Sequence, residues 1–313
     1  MVLLAAGLLD ELVGDPEGWP HPVRVLGWII QRLDRARRTV TSRVVLRVMS
    51  SRAAVRGLGL LLALGLCLLS GGTAWLAHRA AGPWGWVVDI VLGAWMLSGR
   101  SLRVAVARVA EALEAGDLGC ARQAVGRVVG RDTQDLDEGG VVRAGLETLG
   151  ESLCDGVVAP LFWFAMGGLP GLWAFKAAST LDSMVGHREA PWTDFGWASA
   201  RLDDLLNLVP ARFTALFIAL VFLRVEPLRA AWREARRHAS PNAGWGEAAL
   251  AAALNVQLGG LNHYDGVPHQ GPTFGRVEKP LEEARLREGL ALGLRVNLAA
   301  LLSMALLGRL LHG

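Results

Sequence analysis

The sequence predicts an all-α, polytopic integral membrane protein, its membrane-embedded helices joined by helical loops on the cytoplasmic face. Three observations lead there. Hydrophobic residues make up 52% of the 313, more than a typical soluble chain carries, and mean hydropathy is positive. Gly57 to Ala77 is a charge-free run of Leu, Ala and Gly that reaches about 20 residues, the length needed to cross the hydrocarbon. Although net charge is only +3, many Arg against almost no Lys are concentrated in particular loops, the bias that orients membrane proteins. No basic stripe is interleaved with aromatics, so nucleic acid is not an expected partner. Cys67, Cys120 and Cys154 lie far apart without metal-ligand spacing, which argues against a disulfide framework or a zinc site.

Taken in order, Met1 to Val13 is apolar but interrupted by Asp10 and Glu11. It lacks a basic leader and a small-residue cleavage site, so it reads as mature protein rather than signal peptide. From Ile30 to Arg56, eight arginines (32, 35, 37, 38, 43, 47, 52 and 56) face the single acid Asp34, which the positive-inside rule assigns to the cytoplasm. The span 57–77 follows. After Pro83, Trp84 and Trp86 stand at interfacial depth and 84–97, with one acid at Asp89, spans back. The His78 to Pro83 connection is then external, and Gly99 to Glu151, with both charge signs and helical spacing, is cytoplasmic.

Segment 157–178 is apolar but broken by Gly167-Gly168-Leu169-Pro170-Gly171, which stops a helix and permits reversal; it is spanning or re-entrant. Segment 205–223 is apolar except for Asn207, Pro210 and Arg212, and a basic patch from Arg224 to Arg237 follows it. These two segments share one status, both spanning or both dipping. Segment 289–311, interrupted by Arg295 and Asn297, is a last helix across or along the membrane. Residues 1–313 read as one membrane domain with no internal repeat and no strand-like alternation.

Four polar clusters stand out, because polar groups near or inside a membrane are costly. The first, Gly14-Asp15-Pro16 with Pro20-His21-Pro22-Val23, is either a capped turn or a substrate contact. The second is Gly130-Arg131-Asp132-Thr133 followed by Glu147, Glu151 and Asp155, whose four-residue spacing puts three carboxylates on one helical face. Arg131 suits a phosphate and Asp132 a Mg²⁺ ion; the alternative is a solvated face. The third runs from Lys176 through Ser179-Thr180-Leu181-Asp182-Ser183 and His187 to Arg201-Leu202-Asp203-Asp204 and Asn207. Adjacent Asp203 and Asp204 cannot point the same way, so one faces a site and the other pairs with Arg201. A Ser-His-Asp hydrolase is a poor match, since no Gly-x-Ser-x-Gly elbow is present. The fourth, His238-Ala239-Ser240-Pro241-Asn242-Ala243-Gly244-Trp245-Gly246-Glu247, ends later at Gly259-Gly260-Leu261-Asn262-His263-Tyr264. It either starts a helix from Gly246 to Gln257 or offers a helix N-terminus to an anion. No Walker A order occurs; any nucleotide needs another cradle.

These clusters, in this order, resemble the adenosylcobinamide-phosphate synthase (CobD/CbiB) family. The matching strings are Gly14-Asp15-Pro16 with His21-Pro22-Val23, Val129-Gly130-Arg131-Asp132, Asp155 to Phe162, Lys176-Ala177, Thr180 to Gly186, Ala200 to Asp204, Pro210-Ala211-Arg212 and Ser240 to Gly244. Ser152 and Ser179 depart from the family pattern, which carries Asn there, and each shortens an amide to a hydroxyl. The resemblance implies a cytoplasm-facing, ATP-dependent acid–amine ligase of cobalamin biosynthesis. It would join adenosylcobyric acid, a corrinoid, to (R)-1-aminopropan-2-ol phosphate or to the free amino alcohol. It further implies ATP and Mg²⁺ as cofactors, membrane lipid as surroundings, and other cobalamin-assembly enzymes as candidate partners. Residue by residue it suggests Asp132, Asp182 and Asp203 for Mg²⁺, and Arg131, Lys176 and Arg201 for phosphates. His21, Ser240 and Asn242 would contact substrate, and Asp155, Asp182, Asp203 and Asp204 would be catalytic, with His187 as the base for the attacking ammonium. A non-catalytic membrane sensor and a transporter are the rival readings.

Overall fold

The computed structural model of the chain describes residues 1–14, 22–39, 51–186 and 193–313. In chain order the helices are α1 (Val2–Val13), α2 (Pro22–Thr39), α3 (Arg52–Ala80), α4 (Gly85–Ala94), α5 (Gly99–Glu114), α6 (Leu118–Gly126) and α7 (Glu138–Ser152). A π-helical turn (Leu153–Val158) leads into α8 (Ala159–Val185), then α9 (Trp197–Leu206), α10 (Leu208–Val221), α11 (Glu226–Glu234) and α12 (Ala243–Leu254). Strands β1 (Gln257–Tyr264) and β2 (Val267–Gly275) precede the last helix, α13 (Glu283–His312).

Helix α3 shows why this chain belongs in lipid. Its 29 residues, at about 1.5 Å each, run roughly 43 Å, past a hydrocarbon core of about 30 Å. Leu61 and Leu68 on it are 70% and 76% exposed, a row that water would penalise and lipid tails accept. Among the described residues four helical runs are long and apolar enough to cross a membrane: Arg52–Ala80, Gly82–Glu114, Glu138–Val185 and Glu283–His312. The pair α9–α10 is a fifth if taken as one broken span. The protein is an all-α polytopic membrane protein. The expected segments 57–77, 84–97, 157–178 and 289–311 fall within the four runs, and 205–223 overlaps the broken pair, which ends at Val221. α4 alone, at 10 residues, is too short to cross and needs its flanks.

The described residues form two compact units that interleave along the sequence. The first comprises Met1–Leu97, Pro160–Leu206 and Met304–Gly313. Here α3 and α8 approach closely: Ser70 Oγ donates to the Trp173 carbonyl at 3.0 Å, and a Cβ on Gly71 would lie 3.0 Å from the Pro170 carbonyl. Ile30, Ala63, Leu66, Leu181 and Val185 form its buried apolar cluster. The break expected at Gly167–Gly171 is present inside α8. Gly168 takes φ 61°, ψ −157°, a conformation reserved for glycine, and Pro170 has no N–H to restore the ladder.

The second unit comprises Ser98–Ala159 and Asn207–Ser303. Asp137 caps α7 by accepting from Gly140 N–H at 2.7 Å. Where α7 meets α12, glycine faces glycine: a Cβ on Gly246 would overlap the Gly150 carbonyl, and one on Gly150 would lie 3.1 Å from Glu247 Cα. Only with both Cβ positions empty do the two backbones come this near.

One element runs against the expectation of no strand. β1 and β2 pair antiparallel, from Gln257↔Gly275 to Tyr264↔Val267, with a bulge between Gly259 and Leu261. Asp265 and Gly266 turn the hairpin with φ 49° and 77°, the left-handed pair that suits a two-residue hairpin turn. The helix expected over Gly246 to Gln257 is instead α12, which ends at Leu254 because Asn255 adopts left-handed φ 56°.

Candidate functional site

A cavity of about 280 Å³ lies in the second unit, walled by α7, the loop before it, α12 and the hairpin. Glu147 and Glu151, one turn apart on α7, face it. So do Arg131 from the loop, His238, Glu247 from α12, and Asn262 from β1. The hairpin adds Tyr264 and His269, stacked edge to face at 6.0 Å.

Glu147 is the organising group. Its Oε2 accepts from Arg131 Nη1 at 2.6 Å, and its Oε1 accepts from Gly259 N–H at 2.6 Å. The bulge makes the second bond possible: Gly259 has φ 81°, and a Cβ there would overlap the Pro272 carbonyl. Arg143 is occupied holding β1, donating to the Gly259 and Leu261 carbonyls at 2.5 and 2.8 Å. Arg131 differs. Its side chain is only 6% exposed. Nη1 is used by Glu147 and by Asn262 Oδ1 at 2.6 Å, whereas Nε and Nη2 are buried without a hydrogen-bond partner. Those two nitrogens share one edge of the guanidinium, the edge that grips a carboxylate or phosphate side-on.

Glu247 is 8% exposed. Burial pushes its carboxyl up to about 8, the nearby charges of Glu151 and Glu147 adding to the effect and Arg131 opposing it. Across from it, Ser240 N–H donates to His238 Nδ1 at 2.9 Å. In the neutral ring the proton therefore sits on Nε2, the nitrogen 3.8 Å from Glu247 Oε1. The cavity is thus lined by Arg131, whose Nε and Nη2 are buried without a hydrogen-bond partner, and by a group of acids, one of which burial holds protonated near neutral pH.

Several residues singled out from the sequence do other work. Asp155 lies in the π-helical turn. The added residue per turn breaks the four-residue repeat, so Glu147 and Glu151 line the cavity and Asp155 does not. Ser240 Oγ accepts from the N–H groups of Asn242 and Ala243 at 3.2 and 3.4 Å, which starts α12. Asn242 Oδ1 accepts from Arg212 Nη1 at 2.8 Å. Neither lines the cavity. Asp132 pins the hairpin: its N–H donates to the His263 carbonyl at 2.9 Å, and its Oδ2 accepts from Gly266 N–H at 2.7 Å.

The first unit holds the remaining polar residues. Lys176 and Asp182 are both half-buried on α8. There Thr180 Oγ1 donates back to the Lys176 carbonyl at 2.6 Å and Ser183 Oγ to the Ser179 carbonyl at 2.9 Å. On α9, Arg201 Nη1 pairs with Asp204 Oδ2 at 3.2 Å, leaving its neighbour Asp203 on a different side of the helix. Asp15, His21 and His187 lie outside the described residues. Among the described residues no three His, Cys, Asp or Glu side chains are grouped to hold a metal ion, and Asp132 is already committed to the Gly266 turn.

A membrane protein with a small, charged cavity walled by helices and a hairpin is the class these features define. The family model described as CobD/Cbib protein matches residues 3–293. Cobalamin biosynthesis protein CobD of Geobacter metallireducens is 45% identical over 303 residues, covering 91% of this chain and 89% of that protein. Its counterpart of the same name in Klebsiella pneumoniae is 42% identical over 293 residues (90% and 86%), and that of Photorhabdus laumondii 40% over 318 residues (99% and 97%). No solved structure matches. The chain belongs to the CobD/CbiB family.

Proposed function

We propose that this protein is a ligase of cobalamin biosynthesis that uses ATP to join adenosylcobyric acid to (R)-1-aminopropan-2-ol phosphate, or to the free amino alcohol, at the cytoplasmic face of the cell membrane. Support comes from the name its curated relatives carry and from the cavity. The observation that carries most is Arg131, buried among acids with Nε and Nη2 lacking a hydrogen-bond partner.

The chemistry has two steps. The corrinoid carboxylate attacks the γ-phosphorus of ATP; a C–O–P linkage forms, the bond to the β-phosphate oxygen breaks, and ADP leaves. The amine then attacks the acyl carbon, the C–N bond forms and the acyl C–O bond breaks; of the two protons the original ammonium loses, one goes to a base and one leaves on inorganic phosphate as HPO4²⁻. That ammonium must lose its proton before attack. A base titrating near neutral pH fits this task, and His187 is the proposed one from the family resemblance. Mg²⁺ would neutralise phosphate charge, and when it arrives with a nucleotide one or two carboxylates suffice to hold it. Asp182 and Asp203 are the proposed ones, with Lys176 and Arg201 for phosphates.

The test is a detergent-solubilised assay of the purified full-length protein with adenosylcobyric acid, Mg-ATP and aminopropanol phosphate, product read by mass spectrometry. An ATP-dependent amide mass, lost in Arg131→Ala and in Asp182→Ala, is the expected outcome. No amide with either amino alcohol, from protein that unfolds cooperatively, overturns the ligase reading.

A further inference from the structure

We propose that the stretch from Leu223 to Arg236, the turn after α10 together with α11, is an interfacial anchor that docks on anionic phospholipid, Leu223 and Trp232 entering the headgroup layer while Arg224, Arg229 and Arg236 take the lipid phosphates. The anchor goes beyond the ligase reading and stands whatever reaction the protein carries out.

Three observations carry it. The first is a leucine where the backbone asks for glycine. α10 closes with the Leu223 N–H donating to the Leu220 carbonyl at 3.0 Å and the Arg224 N–H to the Ala219 carbonyl at 3.1 Å, a pair of bonds that sets the residue after the helix in the left-handed region. Leu223 takes that place, at φ 52°, with its side chain 91% exposed. Glycine would close the helix with less strain, and so exposed a leucine packs against little of its own protein. A lipid layer is the surrounding that accepts it.

The second is the face that follows. Val225, Arg229, Trp232 and Arg236 recur at spacings of four, three and four residues, the repeat of one helical face, and all four are exposed. The opposite side of α11, Pro227, Ala230 and Ala231, is buried, and the helix packs on α12. Trp232 is 64% exposed yet held, its ring set edge-on to Trp245 at 5.6 Å. A fixed indole flanked by arginines suits a membrane–water interface, and the stretch begins directly beyond the apolar α10, which ends at Val221.

The third is charge. Glu226 pairs with Arg233 at 2.8 Å and Glu234 lies 3.8 Å from Arg237, so the acids of the stretch are matched. Arg224, Arg229 and Arg236 are exposed and make no ion pair among the described residues. Three unmatched cations fit the phosphates of an anionic leaflet. They do not fit a second copy of this chain, because a two-fold contact brings the same patch to itself, arginine against arginine. The anchored stretch runs on into His238, which lines the cavity, so lipid would steady a segment that forms part of its wall.

Hydrogen exchange of the full-length protein tests this, in nanodiscs holding one chain each, made of phosphatidylcholine alone or of an equal mixture of phosphatidylcholine and phosphatidylglycerol. We expect the amides of residues 224–236 to exchange about tenfold more slowly in the mixed lipid, while the Asp265–Gly266 turn exchanges alike in both. Arg229→Gln combined with Arg236→Gln should erase the difference between lipids without lowering the melting temperature in detergent. Leu223→Gly, which relieves the left-handed strain, should leave the end of α10 as firm or firmer in detergent and yet lose protection in the mixed discs; a leucine with a merely structural role would be improved upon by glycine in both. Equal exchange of the unaltered protein in the two lipids overturns the anchor, as does a difference that survives the double arginine change or Leu223→Gly. Protection that appears only in discs holding two chains, whatever the lipid, overturns it in favour of a contact between copies. Should the double variant not fold, the two lipids compared on the unaltered protein decide alone.

Discussion

Glu247→Gln converts a strongly perturbed carboxyl of the cavity into a permanent neutral, and its effect on stability is set by pH. In the folded protein this group titrates near 8, against 4.5 for an ordinary Glu. The folded state therefore holds the proton more tightly than the unfolded chain. The stability Glu247 contributes is complete below pH 4.5 and is lost as pH rises to about 8, because ionising the buried group in place is harder than ionising it in the unfolded chain. Linkage between these two values gives a loss of about 2 kcal/mol by pH 6 and about 4–5 kcal/mol by pH 9, so roughly 2–3 kcal/mol disappear between them. Glutamine has nothing to titrate.

Apparent melting of the two proteins in detergent, followed by tryptophan fluorescence at pH 6, 7.5 and 9, reads the difference directly. The unaltered protein should fall further than Glu247→Gln between pH 6 and pH 9, by several degrees, and the variant should be the more stable at pH 9. Parallel curves would mean that Glu247 is already ionised at pH 6, and the argument from its burial beside Glu151 and Glu147 would then be wrong.

Other expectations follow from single contacts. Gly246→Ala puts a methyl onto the Gly150 carbonyl and should cost at least the ~1–3 kcal/mol of ordinary overpacking, while Gly65→Ala, which meets nothing within 4 Å, should leave the melting temperature unchanged or raised; equal effects would sink the close-crossing account. Asp132→Ala removes the acceptor for Gly266 N–H, at about 1 kcal/mol, and hydrogen exchange at the Asp265–Gly266 turn should quicken; unchanged exchange would show that the turn holds itself. Leu61→Arg sets a charge on the exposed row of α3, a cost of about 2.5–3.5 kcal/mol near the bilayer centre, and should lower the inserted fraction in a glycosylation-mapping assay. An unaltered fraction would place Leu61 outside the hydrocarbon.

The membrane elements were legible in the sequence because apolar length has one reading in lipid. The Gly167–Gly171 break was legible for a similar reason: φ 61° at Gly168 needs glycine, and Pro170 removes a donor. The hairpin was missed, since Gly259-Gly260 and Gly271-Pro272 interrupt any alternation. Its one signal is Asp265-Gly266, a dipeptide that favours left-handed turns. The carboxylate face was half legible. Four-residue spacing places Glu147 and Glu151 correctly, but assumes a uniform helix through Asp155, and the π-helical turn at Leu153–Val158 cannot be read from spacing. Glu247 stood inside the fourth cluster without distinction, because what marks it is the approach of Gly150 to Gly246, a contact 96 residues apart in sequence.

The glycine crossing also explains why the acids are where they are. Two glutamates on separate helices repel, and repulsion of like charges in a poorly solvated space costs more than it does in water. Glu151 and Glu247 each adjoin a glycine of the crossing, so the backbone contact sets their separation and the side chains cannot relax it by moving the helices apart. The strain is met by protonation at Glu247 instead. Arg131 opposes the shift without cancelling it, because its Nη1 is already held by Glu147 and Asn262.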